Sequence, residues 1–214
     1  MELPFLKSPA ERRLYHELAL LNWFDAAALP KVPLPQPQPR GRLLVRFFLP
    51  RFTHPYGGVY TALRLADAVN RAGSRAEVVV YDDPDFDAAP LMSAFGAELS
   101  TLKAEHFLPA GKLGALKQAD VAVATFWPSC YRALESPAIR RVYLVQDYEP
   151  AFYPAGVEFA LAQNTYQLPF DRLYNTPGLK EFVEARHPLP GSCAYAFTPA
   201  VSPRFCPRER REEG

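Results

Sequence analysis

The sequence predicts an α/β protein built on a doubly wound, mostly parallel sheet. Near-continuous apolar runs such as RLLVRFFLP, ADVAVATF and RRVYLVQD have the length and composition of strands buried on both faces. Between them lie segments of about 10–15 residues with helical periodicity, the alternation that covers a parallel sheet with helices on either side. With 49% hydrophobic, 13% aromatic and 22% charged residues over 214 positions, the chain has enough apolar side chain to fill such a core, and disorder is excluded.

Taken in order, the first element is a helix over residues 9–29. Ser8 and Glu11 have capping-box spacing, Pro9 stands at the first helical position, and Leu14, Leu18, Leu21 and Ala28 share one face. PKVPLPQPQP follows with five of the chain's 23 prolines and reads as a semi-rigid extended linker. The main body begins near Arg42. Residues 42–50 form a strand, 59–73 a helix stopped by Gly73, and 76–83 a β-branched strand ending in Asp82 and Asp83. Residues 86–118 mix a helical patch with GAELSTL, read as a short strand. Strands at 119–126 and 140–147, a helix at 154–168, a strand at 170–176, a helix opened by Thr176 and Pro177, and a last strand at 193–201 complete the pattern. The expected organisation is a helical extension (1–29), a Pro-rich linker (30–41), one α/β domain (42–203) and a tail or interdomain linker (204–214).

Several function classes drop out. The 24 basic residues nearly cancel 23 acidic ones, so no whole-chain field favours nucleic acid. No run approaches the roughly 20 apolar residues of a membrane span, and MELPFLKSPAERR is not expected to act as a secretory leader. Cys130, Cys193 and Cys206 are widely spaced and odd in number, which fits reduced thiols in the cytoplasm. The four histidines lack metal-binding spacing, so no metal is expected.

In a doubly wound sheet ligands sit outside the carboxyl ends of the strands, so those ends carry the candidate residues. Gly57 and Gly58 precede a helix, where free N–H groups and an open backbone suit a diphosphate; a loop that needs positive φ explains the pair equally well. A nicotinamide dinucleotide is rejected, because GxGxxG is absent and the loop from Leu49 to Gly57 is too long. Trp127, at a strand end, either stacks on a sugar or covers the sheet. Asp147 and Glu149 leave the VYLVQ strand two residues apart, placed to orient or deprotonate a hydroxyl. Asn175 to Gly178 are explained by helix capping. There is no GxSxG elbow and no P-loop, which argues against hydrolases and nucleotide-binding reductases.

The long first loop with Gly57-Gly58, ADVAVATFWPS, VQDYEPAFYPAGVEFALAQNTY and LYNTPGL together resemble the amino-terminal half of retaining glycosyltransferases of family 4. Within it they look closest to the bacterial rhamnosyltransferase branch that builds surface glycans, over about Arg42 to Cys206. The resemblance implies a GT-B enzyme with two Rossmann-like domains across a cleft and no essential metal or cofactor. Its donor would be a nucleotide-diphosphate sugar such as dTDP-rhamnose, and its acceptor a glycan or lipid-linked glycan. Carried over, Gly57 and Gly58 would lend N–H groups to the diphosphate, and Asp147 would line the cleft beside the reacting sugar. Trp127, Glu149 and Tyr153, all within the matching segments, would join the substrate site. The family's activity on lipid-linked glycans implies a cytoplasmic protein with room for peripheral contact at the inner membrane face.

TPAVSPRFCP resembles the passage to the second domain, and the sequence ends seven residues later. The expectation is an acceptor-side half that binds nucleotide-sugar weakly and transfers nothing without a donor-binding carboxyl-terminal domain, in cis or in trans. The alternative is a non-catalytic α/β module that binds a glycan or a protein partner.

Overall fold

The computed structural model describes residues 41–55, 57–110 and 115–199. The expected helix over 9–29, the Pro-rich linker through Arg40 and the tail 204–214 lie outside the described residues.

Among the described residues, seven strands form one sheet: β1 (Leu44–Leu49), β2 (Arg75–Val80), β3 (Phe107–Pro109), β4 (Ala119–Ala124), β5 (Ala138–Val145), β6 (Asp171–Tyr174) and β7 (Ala194–Ala196). Their order is β3-β2-β1-β4-β5-β6-β7, and every pair is parallel. β1 lies between β2 and β4, with Phe47 paired to Val78 on one side and to Val123 on the other. The chain winds outward from β1 to β3, then returns to β4 and winds the other way. That reversal makes β1/β4 the topological switch point of a Rossmann-like sheet.

Among the described residues, five α-helices cross between the strands: α1 (Gly57–Arg71), α2 (Ala89–Phe95), α3 (Trp127–Glu135), α4 (Val157–Asn164) and α5 (Pro177–Arg186). Alternation within the strands sorts side chains to two cores. Val45, Phe47 and Leu49 pack with Leu63 and Ala66 of α1 and Leu91 of α2. Phe48, Val79, Ala122, Tyr143 and Val145 face the opposite way, onto Cys130 and Ala133 of α3 and Val183 of α5. The two opposite faces of β1 therefore both meet apolar cores, which is why its sequence shows no regular polar alternation.

Arg46 breaks that apolar run and is 1% exposed. Its guanidinium donates to Glu77 Oε2 at 2.8 and 3.1 Å, to the Lys117 carbonyl at 2.8 Å and to Ser136 Oγ at 3.4 Å. The buried charge is thus paired and hydrogen-bonded.

Two elements differ from the sequence expectation. GAELSTL is a turn region whose Leu99 and Leu102 are buried, and the third strand is instead Phe107–Pro109. Apolar content alone marks both stretches as buried and does not say which one pairs. WPSCYRALE, left without an element, is α3, with a proline in its first turn. The last strand is also shorter than expected, at Ala194–Ala196.

Candidate functional site

A cavity of about 600 Å³ opens at the carboxyl ends of β1, β4, β5 and β6, over the switch point. Pro50, Arg51 and Phe52 from the β1 exit, the first turn of α1, Thr125 and Phe126 from the β4 exit, Gln146 and Asp147 from the β5 exit, and Asn175 from the β6 exit line it. Glu149 and Phe152 close the remaining side.

The β1 loop is held by the acids that follow β2. Asp82 Oδ1 accepts the Arg51 backbone N–H at 2.5 Å, and Asp83 pairs with the Arg51 guanidinium at 3.4 Å. Those two carboxylates thus fasten the loop that borders the cavity.

Gly57 and Gly58 start α1 at the cavity wall, each for its own structural reason. Gly57 has φ +48° with open space where a Cβ would stand. A side chain there is strained by the backbone alone. At Gly58 a Cβ would lie 2.7 Å from Gln146 Nε2, so the helix start rests directly on the Gln146 amide. The Gln146 side-chain amide in turn donates to the Thr125 carbonyl at 3.1 Å, and the Gln146 backbone carbonyl accepts from Asn175 Nδ2 at 2.7 Å. Gly58, Gln146, Thr125 and Asn175 therefore link α1, β4, β5 and β6 across the cavity floor. The hydroxyl of Thr125 extends the link to β1 through the Phe48 carbonyl at 2.7 Å.

Asp147 is exposed at the mouth, with Oδ1 accepting the Tyr148 N–H at 2.7 Å. Glu149, two residues on, is 2% exposed. Its Oε2 accepts the Trp127 backbone N–H at 2.6 Å, at the start of α3. Burial pushes the Glu149 carboxyl up to about 8, assisted by the charge of Asp147 and restrained by the Tyr143 hydroxyl and the Trp127 N–H. At neutral pH the cavity wall therefore holds a mostly protonated carboxyl at Glu149.

Trp127 requires a correction. It is 2% exposed and does not line the cavity, so its indole is not available to stack on a sugar. Its Nε1 donates to the Tyr153 hydroxyl at 2.9 Å, and its ring meets Tyr131 and Tyr153 edge-on. Tyr153 likewise stands behind the cavity wall, and the pair binds the turn after β5 to α3. Of the six expected site residues, Gly57, Gly58, Asp147 and Glu149 come together and Trp127 and Tyr153 support them from behind.

Sequence reasoning missed Arg51, Gln146, Phe152 and Asn175 as lining residues. Asn175 fell among residues explained by capping, and the structure divides that group. The Thr176 hydroxyl accepts from the Leu179 N–H at 3.1 Å, whereas Asn175 serves the cavity. The available signal was position for three of them, because Arg51, Gln146 and Asn175 lie one or two residues past a strand's carboxyl end, whereas Phe152 lies seven past β5. Among the described residues no group of His, Cys, Asp or Glu is arranged to hold a metal ion.

Comparison with known proteins places this geometry in a family. The chain is 39% identical over 178 residues to the O-antigen biosynthesis protein RfbC of Myxococcus xanthus. The match takes in 76% of this chain and 13% of that protein, so the chain spans a small part of its relative. Among solved structures, an alpha-glucosyltransferase in complex with UDP and a 13-mer DNA containing a HMU base aligns at a TM-score of 0.45 and 14% identity. That alignment covers 75% of this chain and 43% of the other. The family described as WsaF, N-terminal domain, matches residues 47–175, a span that contains the whole lining of the cavity. The chain belongs to the WsaF N-terminal domain family.

Proposed function

We propose that this chain is the amino-terminal domain of a glycosyltransferase of surface-polysaccharide biosynthesis, acting on a nucleotide-diphosphate sugar and a glycan or lipid-linked glycan. The observation that carries the reading is the cavity itself: a helix start, Asp147 and the side chains of Gln146 and Asn175 converge on one opening over the switch point. Membership of the family and the likeness to an O-antigen biosynthesis protein support the reaction class. Rhamnose as the transferred sugar, from a donor such as dTDP-rhamnose, rests on the resemblance of the 145–166 segment to rhamnosyltransferases.

In this reading the partial positive charge at the start of α1 faces the diphosphate. Negative charge grows on that diphosphate as the sugar–oxygen bond breaks, so N–H groups aimed at it stabilise the transition state more than the ground state. Asp147 holds acceptor or sugar hydroxyls at the mouth, and the departing diphosphate takes the acceptor proton during attack on the same face. A donor-binding carboxyl-terminal domain, in cis or in trans, completes the GT-B cleft, which forms at the cytoplasmic side of the membrane.

Calorimetric titration with dTDP-rhamnose and other nucleotide sugars tests the reading. Weak but measurable binding is expected from this domain, and reconstitution with a donor domain yields transfer that Asp147→Ala lowers by about tenfold or more. Gly58→Val also lowers turnover, although its side chain would strike Gln146 whether or not a phosphate is present. Absence of binding to every nucleotide sugar, together with unaltered transfer by the Asp147 variant, would overturn the assignment.

A further inference from the structure

Glu149 stands apart from the other cavity residues because it belongs to two structures at once. It lines the cavity, and its carboxyl receives the first backbone N–H of α3 from Trp127. Trp127 continues the link through its indole to Tyr153, one residue beyond the 149–152 turn that carries Phe152. The chain on either side of Glu149 and the chain between Thr125 and Trp127 are two walls of one opening. Glu149 thus ties these walls at the outer side of the opening, as Gln146 ties them at its floor through the Thr125 carbonyl.

Charge makes the same residue decisive. Within the described lining, Arg51 is the one cation, its guanidinium is engaged by Asp83, and its side chain is 69% exposed. Asp147 and Glu149 are the two acids. Two ionised carboxylates against one paired cation would repel an anionic ligand.

We infer that Glu149 is a positioning residue for the ligand of this cavity, setting the gap between the β4 and β5 exits through Trp127 and keeping the acidic wall from carrying two charges. The anionic character of the ligand rests on the function proposed above; the link to Trp127 does not.

The surroundings of Glu149 support the second half. The groups that face it are Tyr81 beyond β2, Cys130 on α3, Tyr143 on β5, Tyr166 in the turn after α4, and Asp147. Burial raises all three tyrosines and the cysteine, so they remain neutral, and no cation is among them. The Tyr143 hydroxyl is buried beside Glu149 without a hydrogen bond of ordinary geometry. A protonated carboxyl can both donate to and accept from such a hydroxyl, whereas an ionised one can only accept. With its value near 8, Glu149 holds its proton at pH 7 and releases it above.

Two readouts on the whole chain test the inference. In the free protein, carbon NMR of the Glu149 carboxyl should titrate near pH 8, and the Trp127 amide should exchange slowly in wild type and in Glu149→Gln but fast in Glu149→Ala. With a nucleoside diphosphate, the wild-type affinity should fall about tenfold from pH 7 to pH 9 relative to Glu149→Gln, which keeps the amide acceptor and cannot ionise. The ligand's own titration is common to both proteins. Titration at an ordinary carboxylate value, or fast Trp127 exchange in Glu149→Gln, would overturn the inference. So would equal pH slopes for the two proteins. If no nucleoside diphosphate binds at any pH, the proposed function fails, and the NMR and exchange results still decide the positioning role.

Discussion

Single residues in this cavity do more than one thing, and Glu149 shows it in stability as well as in charge. Its folded-state value of about 8 lies above its ordinary 4.5. Between those values the folded chain keeps a proton that the unfolded chain releases, so stability falls as pH rises from about 4.5 to about 8. Glu149→Gln removes that loss. Urea unfolding at pH 5, 7 and 9 should show the variant gaining on wild type with rising pH, by up to roughly 3 kcal/mol at pH 7. At Gly58 the expectation concerns function more than folding. Gly58→Ala pushes against the Gln146 amide, so it should weaken nucleoside-diphosphate binding severalfold, read by calorimetry, while Gly57→Ala costs about 1 kcal/mol of stability through its φ of +48°. The glycine pair was visible in the sequence as a place of close backbone approach. Its partner was not, because Gln146 lies 88 positions away and only the fold brings the two together. Trp127 failed as a sugar platform for a related reason: its burial depends on Tyr131, one turn along a helix the sequence does not mark, and on Tyr153, which the fold brings to it.

At the scale of elements, the strands were the legible part. β1, β4 and β6 fall within the stretches that mark them, and β2 and β5 overlap theirs from one and two residues earlier, since a strand covered on both faces is largely apolar. α3 was not legible, being nine residues long and rich in aromatics, and held by contacts rather than by periodicity. The Ser129 hydroxyl accepts the Thr125 and Phe126 N–H groups at 2.8 and 3.1 Å, and Trp127 docks on Tyr153. Trp127→Phe and Tyr153→Phe should each cost about 1 kcal/mol, and the double variant little more than either, as shown by a double-mutant cycle in urea. The Arg46–Glu77 pair predicts the opposite pattern. Glu77→Ala leaves the Arg46 charge buried beneath the sheet and should destabilise by about 3–5 kcal/mol, whereas Arg46→Met with Glu77→Gln recovers most of the loss.

For the whole molecule, the sheet order explains why the cavity lies where it does. Reversal of winding at β1/β4 leaves a crevice between the two loops that leave those strands, and the β5 and β6 exits extend it. A ligand bound there touches four strand ends, so binding should stabilise the domain as a unit. Saturation with a nucleoside diphosphate at about 100 times its Kd should add about 2.7 kcal/mol, seen as a rise in Tm that follows ligand concentration. The outer limits of the sheet have a different consequence. β3 and β7 offer only three residues each to any incoming chain, and β3 ends in Pro109, which has no N–H to give. Among the described residues, growth of the sheet by addition of a further strand is thereby discouraged at both margins, which leaves loops and helices as the surfaces open to contact.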